Sequence, residues 1–355
     1  MKLRKIRVFL SGMVNVTNAQ NLNCLSLARY LDKTKFEVRA LTVYSGNLPI
    51  EPIEGVSYLP VRYPAKIWHR IQLLRGILWS DIAYLCKPEY WKSQRFCVRL
   101  FRKKSWGTIE GVYSGIAYER ALSAFGGIDG VRAFHTMTTK TFAITKAMIS
   151  KNREAVGLSE PGGVLYLGTD YQNFAAEKQV NNLTDVLLIG ADLYRKGLVD
   201  YLQLASHFPQ ITFHVAGGGV GADDYAEQCK QSHPNVIFHG RVPHSELPAL
   251  LAKVQLHIFP SRAEGFPKVT LETAAAGVPS LVYDDYGADE WITHGKDGFV
   301  VKMLDEMKGV VQDLLDHPEK LQPLADSARA MAKRFDWTVV IKDWEREIVR
   351  IMNGE

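Results

Sequence analysis

The sequence predicts an α/β protein of two doubly wound domains, and three observations carry that expectation. A strand–helix–strand rhythm opens the chain, the same rhythm restarts after residue 184, and 355 residues suffice for two domains of about 150 residues each. Hydrophobic residues make up 46% and charged residues 23%. A chain of that size and composition builds its own core and needs no disulfide or metal staple.

The elements follow in order. Residues 5–11 are a short apolar run after a basic start, the pattern of a strand buried on both faces of a parallel sheet. Residues 18–31 place Leu22, Leu25, Ala28 and Leu31 at helical spacing, and 36–44 read as a second strand. The polar stretch 170–182 has no strong period and marks a boundary. The expected domains are therefore 1–170, joined by a terminal helix in 337–355, and 171–336. In the second domain strands are expected at 185–189, 211–216, 236–239, 256–259 and 280–283. They alternate with helices at 198–208, 224–232, 246–252 and 270–276. The last helix, 337–352, carries Val340, Trp344, Ile348 and Ile351 on one stripe. Ligands of such sheets bind at the carboxyl ends of the strands, where loops open onto helix N-termini.

Cys24, Cys86, Cys97 and Cys229 are scattered and form no Cys-x-x-Cys pair, so they are expected as reduced thiols of a cytoplasmic protein rather than zinc ligands. The basic start lacks a long apolar run and a small-residue cleavage site, so no signal peptide is expected. No segment approaches the roughly 20 apolar residues of a spanning helix. The net charge of +5 is concentrated: eleven lysines and arginines lie between Arg62 and Lys104, opposed only by Asp81 and Glu89. Within 62–104, the segment from Lys66 to Trp79 mixes Ile67, Trp68, Ile71, Leu74, Leu78 and Trp79 with Lys66, Arg70 and Arg75. It reads either as a surface helix for an anionic membrane or as a core-facing helix with solvated charges. No nucleic-acid recognition module accompanies the charge.

The richest stretch runs from Phe259 to Glu272. A strand ends, a loop carries Glu264 and Gly265, and a helix follows with Glu272. Unpaired backbone N–H groups of a loop and first helical turn suit an anion, and a carboxylate accepts from two vicinal hydroxyls. Taken alone, Glu264 fits an ordinary surface loop as well.

The wider string resembles the large GT-B glycosyltransferases of family four. Their hallmark is two glutamates separated by seven residues, after Pro-Ser and before an Ala-x-Gly-x-Pro turn. Here these are Pro260-Ser261, Glu264, Glu272 and Ala275-Ala276-Gly277-Val278-Pro279, followed by Gly287-Ala288-Asp289-Glu290 and Gly295-Lys296-Asp297-Gly298. The match covers most of 184–300. It implies a GT-B fold: two Rossmann-like domains facing across a cleft, the C-terminal helix packing back on the N-terminal one. It also implies a nucleotide-diphosphate sugar as donor, held by the C-terminal domain, an acceptor on the N-terminal domain, and retention of anomeric configuration. The acceptor class is a glycan or lipid-linked acceptor, in cell-envelope polysaccharide or glycolipid synthesis, at the inner face of the membrane. No cofactor and no metal are expected, and no Asp-x-Asp motif is present.

By the same resemblance Glu272 binds the nucleotide ribose, and Glu264 with the backbone of Gly265, Phe266 and Lys268 meets the donor sugar. Pro267 stands where many relatives have glycine and brings no N–H. The loop from Gly190 to Gly197 resembles the family's diphosphate loop, with Lys196 at the family lysine. Ala191 replaces the usual arginine, and Arg195 is either its substitute or a solvated loop residue. Gly217 to Gly219 follow a strand, as in the family. Arg241 follows Gly240 beside the expected nucleobase and is either a stacking partner or an ordinary exposed arginine. In the first domain Ser11-Gly12-Met13 ends a strand, with Asn15 and Asn18 where relatives carry a glycine pair. Glu110 falls where many relatives have a histidine, as acceptor or base, unless the alignment is off by several residues. The 165–170 segment resembles a structural turn before the second domain. An epimerase on the same fold and a non-catalytic binding protein remain open alternatives.

Overall fold

The structure, a computed structural model, describes residues 4–45, 48–159, 161–218, 229 and 232–355. It divides into two compact units, Met1–Leu167 with Trp337–Glu355, and Gly168–Asp336.

The first unit contains strands β1 (Ile6–Met13), β2 (Phe36–Val43), β3 (Val56–Val61), β4 (Ile82–Tyr84), β5 (Lys104–Ile109) and β6 (Lys140–Ala143). Between and after them lie helices α1 (Ala19–Tyr30), α2 (Ala65–Trp79), α3 (Trp91–Leu100), α4 (Gly115–Phe125), α5 (Ile128–His135) and α6 (Lys146–Val156). The sheet is parallel, in the order β3-β2-β1-β4-β5-β6. Val8, Phe9 and Leu10 of β1 are fully buried, as a central strand covered on both faces requires. Helix α2 comes so close to β1 that a Cβ on Gly76 would fall inside the Phe9 ring. A glycine inside a helix costs about 1 kcal/mol relative to alanine, and here it admits an aromatic side chain.

The second unit contains β7 (Asp185–Gly190), β8 (Thr212–Gly217), β9 (Val236–Gly240), β10 (Leu256–Phe259), β11 (Ser280–Tyr283) and β12 (Gly298–Val301). Its helices are α7 (Tyr171–Phe174), α8 (Leu198–His207), α9 (Leu247–Leu251), α10 (Lys268–Ala275), α11 (Leu304–Asp316) and α12 (Leu321–Arg334). The strand order β12-β11-β10-β7-β8-β9 repeats that of the first unit, again all parallel. Every residue of β10 and β11 is buried. The helix expected at 224–232 and the last glycine of the 217–219 run, Gly219, lie outside the described residues, apart from Cys229 and Ser232. Helix α10 starts at Lys268, two residues before the expected start. Pro267 forms its N-cap, a place where the missing N–H costs nothing.

The final helix, α13 (Trp337–Asn353), packs on the first unit, as expected. Trp337 and Trp344 are buried, Trp344 donates to the Tyr166 carbonyl at 3.0 Å, and the Trp337 ring stacks on Tyr30. Lys104 caps the far end by donating to the Ile351 and Met352 carbonyls. Among the described residues no helix is long and apolar enough to cross a membrane.

Candidate functional site

In both sheets the order reverses between the first and fourth strands of the unit, and the crevice for ligands opens at their carboxyl ends. In the second unit these are β7 and β10, and the loops that leave them carry the 190–197 and 260–267 segments. The loops nearly touch. Gly197 has φ +86°, and a Cβ there would fall inside the Pro260 carbonyl. Gly217, at the end of β8 with φ +140°, leaves no room for a side chain beside the Gly190 carbonyl. These glycines are required by close backbone approach.

The loops converge on one atom. Glu264 Oε1 accepts from Lys196 Nζ at 2.7 Å, from Arg195 Nη1 at 3.1 Å and from Ser261 Oγ at 2.5 Å. Arg195 also donates to the Ala263 carbonyl at 2.8 Å, and Ser261 Oγ to the Arg195 carbonyl at 3.2 Å. The Glu264 side chain is 8% exposed and that of Lys196 13%, against 48% for Arg195. Burial pulls the Lys196 ammonium below its ordinary value, and the Glu264 carboxylate opposes that pull. Lys196 Nζ also lies 4.9 Å from the centre of the Phe259 ring. Two cations share this one carboxylate oxygen, so the cluster carries a net positive charge toward an incoming anion. Arg195, which the sequence left between two readings, is tied into this cluster.

Glu272 lies in the first turns of α10 and is met by a residue the sequence reading did not single out. His244 Nε2 lies 3.3 Å from Glu272 Oε1, and this hydrogen bond raises the imidazole above its ordinary value. The Phe174 ring meets His244 edge-on. The Phe266 side chain is buried against Trp291 and Phe335. Trp291 Nε1 in turn donates to Thr270 Oγ1, which fixes the start of α10. Gly265 and Lys268 flank this segment and are partly buried. The Tyr286 hydroxyl is buried with no partner among the described residues, in the field of Glu264. Arg241 is exposed, and its side chain lies against Gly218, where a Cβ would meet Cγ at 3.2 Å. No group of three metal-ligating side chains occurs among the described residues.

In the first unit Glu110 follows β5, at the carboxyl end of the sheet. Its Oε1 accepts from Thr108 Oγ1 at 2.7 Å and from the Tyr84 hydroxyl at 3.0 Å, and its Oε2 from Asn23 Nδ2 at 3.0 Å. All three donors are buried. The glycine and asparagines of the first loop are used structurally. Strand β1 runs on through Gly12, which is buried and packs on α1, where a Cβ would meet Cys24 Sγ at 2.5 Å. Asn15 bridges Val43 and Leu48, and Asn18 caps α1 by accepting from Asn21 N. The scattered cysteines include one close pair: Cys24 Sγ and Cys86 Sγ are buried 3.6 Å apart, both free thiols.

Two six-stranded parallel sheets of this order, each flanked by helices, define the GT-B fold. HepE of Anabaena in complex with UDP-glucose aligns over 97% of this chain and 99% of its own, with a TM-score of 0.77 at 16% identity. Sucrose-phosphate synthase of Thermosynechococcus elongatus aligns over 99% and 100%, with a TM-score of 0.81 at 15% identity. Residues 171–331, which make up most of the second unit, match the family Glycosyl transferases group 1. Glycogen synthase of Mycobacterium tuberculosis is 31% identical over 221 residues, 58% of this chain and 53% of the relative. Alpha-galactosylglucosyldiacylglycerol synthase of Streptococcus pneumoniae is 29% identical over 156 residues, 42% of this chain and 41% of the relative. The chain thus spans about half the length of the curated relatives it matches.

Proposed function

We propose that the protein transfers a sugar from a nucleotide-diphosphate sugar to a glycan or lipid-linked acceptor, with retention of configuration and without a metal or other cofactor. The observation that carries this reading is the convergence of Lys196 and Arg195 on Glu264 at the switch point of the second unit. Cleavage of a nucleotide-sugar bond builds negative charge on the leaving diphosphate. A cation fixed there in advance stabilises that charge more than it stabilises the bound donor, and this is what lowers the barrier.

In this reading Lys196 and Arg195 hold the diphosphate, Glu264 and the backbone of Gly265, Phe266 and Lys268 hold the sugar, and Glu272 holds the ribose diol. Arg241 stacks on the base, and its position beside Gly218 supports a planar partner there. The acceptor binds the first unit, where Glu110 accepts from its hydroxyl. The leaving phosphate oxygen takes the acceptor proton on the face it departs from, so both carboxylates of the second unit act as hydroxyl binders rather than as a glycosidase pair. The HepE structure with UDP-glucose and the glycolipid-synthase relative support a donor and an acceptor of these classes. The corresponding place of action is cell-envelope polysaccharide or glycolipid synthesis at the cytoplasmic face of the membrane.

The test is a screen of radiolabelled nucleotide-sugars with and without candidate acceptors. Acceptor-dependent release of the nucleotide diphosphate is expected, with NMR of the product showing the donor's anomeric configuration. An epimerised donor formed without any acceptor, or an inverted linkage, would overturn the reading.

A further inference from the structure

We propose that the exposed faces of α2 and α3 form one docking surface for an anionic lipid bilayer. This deepens the reading of a lipid-linked acceptor, yet it rests on a surface made only of the first unit.

Of the seventeen large hydrophobic residues exposed among the described residues, seven fall on α2, α3 or the residue after α3. On α2 they are Ile67, Ile71, Leu74 and Leu78, on one helical stripe; the opposite face buries His69, Leu73, Gly76 and Ile77 against the sheet. The core therefore takes Leu73 and Ile77 and leaves Ile67, Ile71, Leu74 and Leu78 outside. Arg70 and Arg75 are exposed on either side of this stripe, and Lys66 is exposed in the first turn. Helix α3, packed beside α2, repeats the design. Phe96 is 65% and Leu100 58% exposed, with Lys92 and Arg99 on the same side and Phe101 and Arg102 following.

The internal contacts of this surface leave its charge in place: Arg70 lies over the Tyr90 ring at 4.8 Å and Arg75 donates to the neutral Gln72 Oε1 at 3.2 Å. Lys103 and Lys104 are taken up by carbonyls at the ends of α2 and α13. Asp81, one of only two acids in 62–104, is held by Arg4 and Arg7. None of the basic residues on the outward faces is ion-paired among the described residues. Aliphatic and phenyl tips interleaved with lysine and arginine on one surface fit the boundary between acyl chains and anionic headgroups. A protein partner would deplete the stripe centre of charge, and a nucleic acid would not reward exposed leucine and isoleucine.

The experiment is co-sedimentation of the full chain with phosphatidylcholine vesicles, with and without phosphatidylglycerol, at low and high salt. Binding is expected only to the anionic vesicles and is expected to weaken with salt. The K66E/R70E/R75E variant should lower the partition coefficient by about a hundredfold or more, at about fivefold for each basic residue lost near such a surface. L74S/F96S should lower it as well, because both forces act together. Circular dichroism and nucleotide-sugar binding, measured on the same samples, report that the fold and the donor site persist. Three results would overturn the proposal: no binding of the wild type to anionic vesicles, unchanged binding of the charge-reversed variant, or self-association abolished by L74S/F96S with no vesicle binding. Vesicle binding without sugar transfer would sink the proposed function and leave this surface intact; the reverse result would do the opposite.

Discussion

The two units share one strand order, and their switch points are furnished with opposite chemistry. In the second unit the loops after β7 and β10 meet around a carboxylate gripped by Lys196, Arg195 and Ser261. In the first, the ends of β1 and β4 meet around uncharged groups, Ser11, Cys24 and Cys86. The carboxyl side chain nearby, Glu110, sits one strand over and is held by hydroxyl and amide donors. A diphosphate is drawn to the first kind of floor and repelled by a carboxylate on the second. A neutral acceptor hydroxyl suits the second. In the proposed reading the same fold divides the substrates through loop chemistry, as sites grafted on a shared fold can.

Three experiments would break or sharpen this division. The largest effect is expected from Lys196→Ala, which removes a cation whose side chain is only 13% exposed. Turnover should fall about a thousandfold, the loss typical of removing one preorganised charge-stabilising donor. Single-turnover release of the nucleotide diphosphate measures it, and near-normal release would remove the diphosphate from this switch point.

Glu110→Gln keeps the shape of the first unit's site and removes its charge. A fall of about a hundredfold in transfer is expected, with donor affinity unchanged, if the carboxylate acts on the acceptor hydroxyl. Equal rates for the two proteins would reduce Glu110 to a structural tie between β4, β5 and α1. Titration of the donor by calorimetry separates the two terms.

The smallest effect concerns His244. Its hydrogen bond to Glu272 raises the imidazole pKa, so the charged pair is fully present below the ordinary histidine value and is lost as pH rises through the raised one. A ribose diol must compete with that pair for Glu272. Donor KM should therefore fall a few-fold, about threefold, as pH rises from about 6 to about 8, and His244→Gln should flatten the profile. A profile that persists in the variant would detach His244 from the ribose site.

The candidate donor segment is local, and so its parts can be named from the sequence. Glu264, Gly265 and Glu272 sit on one strand–loop–helix segment, so their spacing alone places them near a helix start. Lys196 was legible for the same reason, at the end of a loop that opens a helix. What could not be read was which donors share one oxygen: Arg195 and Lys196 are more than sixty residues from Glu264. Ser261, three residues before Glu264, was the one partner within reach of local reasoning, as a hydroxyl at i and a carboxylate at i+3. His244 had no local signal, since its partner lies 28 residues away.

Elsewhere tertiary packing took over residues that local chemistry offered to a ligand. Asn15 and Asn18 have the right polarity to meet a phosphate, but the fold spends them on the backbone of β2 and on the cap of α1. Helix α2 carries apolar residues all around its circumference, so periodicity alone does not say which stripe faces the sheet; the approach of Gly76 to Phe9 decides it and turns Ile67, Ile71, Leu74 and Leu78 outward.

By itself the sequence determined two doubly wound domains and an amphipathic last helix, because apolar period and short-range spacing are properties of neighbours along the chain; the return of that helix to the first domain came from the family resemblance. Only the tertiary structure decided that Arg195 joins Lys196 on a single carboxylate oxygen, that Glu110 is held by three buried donors, and that the basic face of α2 is also its exposed apolar face. Each of these depends on where distant segments meet, which is set by the packing of helices on sheets rather than by any local preference.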